Sequence, residues 1–80
     1  MVCGAVPLAG LGPGKSACVE EVILGGRTGQ RLLDLGMIPG AEVRCLYRAP
    51  SGTPAAYQVF GAVVALRCRD AERVLVRSWD

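Results

Sequence analysis

Short apolar runs alternate with glycine- and proline-marked breaks along the chain, and the phase of each run predicts its element. Residues 41–49 alternate, with Val43, Cys45 and Tyr47 on one side and Glu42, Arg44, Leu46 and Arg48 on the other, which predicts a half-buried strand. Residues 15–24 hold Ala17 and Val19 in one phase and Val22 and Leu24 in the other. That break predicts a strand with a bulge or sharp bend at Glu20 and Glu21. Residues 55–60 and 63–67 are further β-type runs separated by a tight turn at Gly61 and Ala62. Residues 74–77 supply a last strand, and Pro50-Ser51-Gly52-Thr53-Pro54 predicts an exposed hairpin loop.

Helical signals are brief. Gly25-Gly26 ends a strand, Arg27-Thr28-Gly29 leads on, and residues 30–35 are good helix formers until Gly36 caps them. At about 100° per residue, Leu32 and Leu35 share the inward face, Leu33 lies at its edge, Arg31 lies on the other edge, and Gln30 and Asp34 point away. Pro39-Gly40 then turns the chain into the next strand. Leu8 and Leu11 share one face of a short apolar plug that stops at Gly12-Pro13-Gly14, and residues 69–73 read as one helical turn with Asp70 as N-cap. The fold class that follows is mainly β: a partly open or closed barrel of about five strands, with one short helix after the first main strand and a helical turn before the last.

Composition narrows the function classes. Eighty residues make one domain, 1–80, with a thin core, because a chain this short buries roughly 60% of its unfolded surface. No apolar run approaches the roughly 20 residues of a membrane-spanning helix, and the first eleven residues lack the positive start of a secretory signal, so a cytoplasmic protein is expected. Nine basic against seven acidic residues is too small an excess to argue for nucleic acid, and Tyr47, Tyr57, Phe60 and Trp79 do not interleave with a basic cluster.

Catalysis is not expected. The chain has no histidine, a single lysine, no nucleophile elbow, and no phosphate-binding loop, so Gly25-Gly26-Arg27-Thr28-Gly29 reads as a turn. No cofactor or metal is expected either: Cys3, Cys18, Cys45 and Cys68 contain no Cys-x-x-Cys pair, and Glu20 and Glu21 are solvated neighbours. Cys45 falls in apolar phase and is expected inside; Cys18 and Cys68 fall in polar phase and are expected outside. What remains is a surface for a partner. Met37 and Ile38 stand at the helix end before a rigid turn, where with Leu33 they form either core or an apolar patch rimmed by Arg31. An exposed apolar corner on a thin core also leaves room for self-association.

The run Arg31-Leu32-Leu33-Asp34-Leu35-Gly36-Met37-Ile38-Pro39-Gly40, with Glu42-Val43 and Arg48-Ala49-Pro50 after it, resembles the signature of the FeoA family, ferrous iron transport protein A. Pro7-Leu8, Gly14, Gly25-Gly26, Ala65-Leu66-Arg67, Ala71 and Val74-Leu75-Val76 extend the resemblance over about residues 6–77. The resemblance implies an SH3-like barrel with a helix between its first two main strands. It also implies a cytosolic accessory of FeoB, the membrane ferrous iron transporter with a cytoplasmic G-protein domain, for which the residue reading offers Arg31, Leu33, Met37 and Ile38 as the candidate partner contacts. The same barrel is similar to the C-terminal domain of iron-dependent repressors, so a repressor-type or small nucleic-acid-binding barrel is the alternative. Cys18 and Cys68 depart from the polar residues, and Tyr47 from the charged one, that the family often has there.

Overall fold

The computed structural model describes residues 4–78, so the expectations for Cys3, Trp79 and Asp80 lie outside the described residues. Strand β1 is Val6–Pro7, followed by a 3-10 turn at Leu8–Gly10. Strand β2 is Ser16–Val22, helix α1 is Gly26–Asp34, β3 is Glu42–Arg48, β4 is Ala55–Val59, β5 is Ala62–Leu66, α2 is Cys68–Ala71 and β6 is Val74–Ser78. The strands form one antiparallel sheet in the order β1-β6-β2-β3-β4-β5. The mainly β expectation holds, with a sixth strand where the first apolar plug begins.

The sheet curls around Val19, Val43, Cys45, Tyr57, Val59, Val64, Val74 and Val76, and Leu8, Leu32 and Met37 complete the core from the loops and α1. Each such side chain contributes about 1.5–3 kcal/mol by leaving water. Curling requires bends. The pairing of β2 with β6 shifts between Val19 and Glu21, the bulge expected from the broken phase at Glu20-Glu21.

A second bulge overturns an expectation. The pairing of β3 with β4 shifts between Cys45 and Tyr47, so the strict alternation read from the sequence fails there. Leu46 and Tyr47 both face outward, and Arg48, expected outside, turns inward. Its Nη2 donates to the carbonyl oxygens of Ala9 at 2.7 Å and Leu11 at 2.8 Å, which fastens the N-terminal plug across the end of the barrel.

Helix α1 begins at Gly26, four residues before the expected start at Gln30. Composition misled here, because glycine weakens a helix interior. Gly29 is nonetheless required: a Cβ at this position would collide with the carbonyl oxygen of Leu24. The close approach of the helix to the end of β2 therefore selects glycine at an interior position. Helix α2 starts at Cys68, and Asp70 is not its N-cap; the loop residue Thr53 accepts the Cys68 N–H on its Oγ1 at 3.0 Å instead.

Candidate functional site

The end of α1 positions the corner that the sequence singled out. Gly36, with φ of 100°, donates its N–H to Leu33 O at 3.0 Å, and Met37 N–H reaches back to Leu32 O at 2.9 Å. These are the two bonds of a Schellman C-cap, whose apolar contact joins the residue after the glycine to the one five positions before it. Met37 and Leu32 are accordingly both fully buried in the core cluster. Met37 is therefore a core residue, and its expected role as a partner contact is corrected: the cap geometry turns its side chain inward.

The next residues turn the other way. Ala41 N–H donates to Ile38 O at 3.0 Å, closing a turn with Pro39 and Gly40 at its centre and φ of 95° at Gly40. That is type II chemistry, which needs glycine in the third place. Gly40 N–H and Ala41 O both bond Val19, at 2.8 Å each, so the turn is held on β2 beside the bulge. Ile38 is left 45% exposed and Leu33 44% exposed, while Arg31 is exposed two residues before Leu33 on α1. Of the four expected contact residues, the structure places Arg31, Leu33 and Ile38 on the surface and Met37 beneath them.

One surface residue of this corner escaped the sequence reading. Phe60, expected at the end of a strand, is instead the first residue of a two-residue hairpin turn with Gly61 between β4 and β5. Both have positive φ, 49° and 81°, as the twist-matched hairpin turns require. A phenylalanine in this backbone region is strained, and the ring is 73% exposed. The ring rests on Gly36, where a Cβ would overlap Phe60 Cδ2. The signal available in the sequence was the pair Phe60-Gly61 midway between two apolar runs, with the turn one residue earlier than glycine alone suggested.

Phe60 thus rests on Gly36, whose backbone N–H bonds Leu33 O and whose carbonyl accepts the Ile38 N–H at 2.9 Å. Phe60 also walls a shallow depression of about 390 Å³ with Glu42, Arg44 and Gln58 on its other sides. An apolar centre with charged neighbours is the arrangement of a protein contact surface, in which aromatic anchors supply affinity and charges supply specificity.

The thiols are separately engaged. Cys45 is buried as expected, Cys18 on β2 is half-buried with its thiol toward Val19 O at 3.7 Å, and Cys68 is exposed at 3.9 Å from Glu72 Oε2. Among the described residues no three His, Cys, Asp or Glu side chains gather as metal ligands. No described helix is long and apolar enough to cross a membrane.

Comparison with known proteins agrees with this architecture. The FeoA domain family model matches residues 6–78. No curated protein matches the chain. FeoA from Chlorobium tepidum superposes with a TM-score of 0.86 at 31% identity, over 92% of this chain and 70% of that one. FeoA from Stenotrophomonas maltophilia, solved with zinc, has 36% identity and a TM-score of 0.75 over 92% of this chain and 89% of that one. That protein is described as a prokaryotic SH3-domain protein and a candidate activating factor for ferrous iron transport. A manganese-dependent transcriptional repressor shares the fold alone, at 18% identity and a TM-score of 0.81 over 96% of this chain and 42% of that one. The barrel is SH3-like, and the chain belongs to the FeoA family, which is associated with ferrous iron transport.

Proposed function

We propose that this protein is a cytoplasmic, non-enzymatic regulator of ferrous iron uptake that binds the cytoplasmic G-protein region of a FeoB-type transporter. The contact is the corner made by Leu33, Ile38 and Phe60, with Arg31 at its rim. The observation that carries this reading is the exposure of Leu33 and Ile38 on either side of Gly36 in the chain and of Phe60, whose ring rests on that glycine, a feature that costs solubility and stabilises nothing unless another surface covers it. The family's association with ferrous iron transport supplies the class of partner.

The test is capture of the purified transporter cytoplasmic domain by wild-type protein, by Ile38→Asp and by Phe60→Asp, with circular dichroism on each variant. Capture by wild type and its loss in folded variants is the expected result. A competent transporter domain that binds none of them, or binds all three equally, overturns the assignment.

A further inference from the structure

We infer that the free edge of β5, with the arginines beside it, receives an extended acidic segment of a partner protein, which joins the sheet as an added strand. This surface shares Arg31 with the rim proposed for the transporter contact and does not depend on which protein carries the segment.

Strand β5 is the last in the sheet order, so one of its edges has no neighbour among the described strands. Its register tells which residues face that edge. The two-residue turn makes Val59 and Ala62 a hydrogen-bonded pair, and antiparallel alternation makes Tyr57 with Val64 and Ala55 with Leu66 the next two. Val63 and Ala65 therefore point their N–H and C=O groups away from β4, and no described residue bonds them there. The five residues Ala-Val-Val-Ala-Leu carry no charge, no proline and no bulge, the devices that ordinarily blunt an exposed edge. The opposite edge differs. There β1 is two residues long and ends in Pro7, a poor template for pairing.

A groove of about 380 Å³ runs between α1 and this edge. Its floor is apolar, from Leu32, Val64 and Leu66, and its rim carries Arg27 and Arg31 on α1 and Arg67 just past β5, against the single acid Asp70. Arg27 and Arg31 are one helical turn apart, about 6 Å between their Cβ atoms. Alternate side chains of an extended segment recur at about 6.7 Å on one face. Carboxylates at every second position of an added strand can thus meet successive guanidinium groups on the side of α1, while the intervening apolar side chains lie on the opposite face beside the exposed Val63 and Ala65. None of the lining residues is aromatic, so the groove lacks the stacking platform that single-stranded nucleic acid uses. Edge-to-edge pairing with a second copy would bring two sets of arginines together and is opposed by their repulsion.

The probe is a short fluorescent peptide alternating glutamate and valine, with the same peptide carrying lysine for glutamate as control. Fluorescence anisotropy should show binding of the glutamate peptide alone, weakened by added salt. The backbone amide resonances of Val63 and Ala65 should shift and exchange more slowly with solvent. Ala65→Pro removes an outward N–H without breaking a bond to β4, and it should weaken binding on the order of tenfold or more, as should Arg27→Glu with Arg31→Glu. Ile38→Asp should bind the peptide as wild type does, so loss of transporter capture in that variant with peptide binding kept distinguishes the two surfaces. Equal binding of the lysine peptide, shifts that map away from β5, or no effect of the arginine reversals overturns the inference. So does absence of binding by the glutamate peptide, tighter binding of an oligonucleotide to the same amides, or dimerisation of the protein through β5.

Discussion

The Phe60 ring stands where Gly36 has no side chain, and both residues have positive φ. The helix end and the hairpin tip are thereby built around each other. Gly36→Ala meets two separate costs: an L-residue in the left-handed region, about 1–2 kcal/mol, and overlap with the ring. Phe60→Ala removes only the second. Denaturant unfolding of the two single variants and the double variant should therefore show non-additivity, with Gly36→Ala less damaging in the Phe60→Ala background. Equal effects in both backgrounds would show that the ring yields freely.

Met37 and Ile38 are adjacent in sequence and opposite in consequence. Met37→Ala removes a fully buried side chain that packs in the same core as Leu32 and should cost about 2–5 kcal/mol. Ile38→Asp acts on a side chain already 45% exposed, and it should stay folded with a change on the order of 1 kcal/mol. Chemical denaturation decides between them. Comparable losses at both sites would contradict the division of this corner into pillar and surface, and would disqualify Ile38→Asp as a binding probe.

Local chemistry made much of this corner legible in the sequence. Gly36 and the Pro39-Gly40 turn announce their backbone geometry through residues that tolerate it, and the bulge at Glu20-Glu21 shows as a phase break because both flanking runs are apolar. What stayed hidden depends on contacts distant in sequence. The direction of Met37 follows from which side of the capped helix meets the barrel. The inward turn of Arg48 follows from a bulge in a run whose alternation gives no hint of one. Gly29 looks like a helix breaker until Leu24 O is found against it, and Phe60 looks like a strand residue until the register of β4 and β5 is known. The groove along β5 was invisible for the same reason, since Arg27, Arg31 and Arg67 converge only in the fold.

Arg48 joins the end of β3 to the N-terminal plug, with two short bonds from one guanidinium nitrogen. Bonds from a charged donor to carbonyls are stronger than neutral ones, and the residue is partly withdrawn from solvent. Arg48→Met keeps much of the aliphatic stem and loses the donors, leaving the Ala9 and Leu11 carbonyls unpaired by it. A destabilisation of about 2–3 kcal/mol is expected. Amide exchange should locate it: protection of the Leu11 N–H, which bonds Leu8 O at 2.9 Å, should fall further than that of Val64 in the core. Uniform loss across the barrel would assign Arg48 a global role rather than a clamp on the plug.

Tyr57 supplies a pH test of the core. Burial raises its phenol pKa above the ordinary value of 10.0, and the electrostatic effects of Cys45 and, more weakly, Cys68 push in the same direction against an opposing effect of Arg48. The neutral phenol is thus favoured in the folded state. Above pH of about 10 the unfolded chain releases this proton while the folded protein retains it, so the unfolded state binds fewer protons and stability falls with rising pH. The contribution is fully present below the unfolded value and is lost as pH climbs through the raised folded value. Near-ultraviolet difference titration of wild type against Tyr57→Phe should show a phenolate that forms later than in the unfolded chain. Denaturation across the same alkaline range should show a steeper loss of stability in wild type than in the variant. Phenolate formation at the ordinary value, with parallel stability curves, would mean that water reaches the Tyr57 hydroxyl and that the barrel wall is open there.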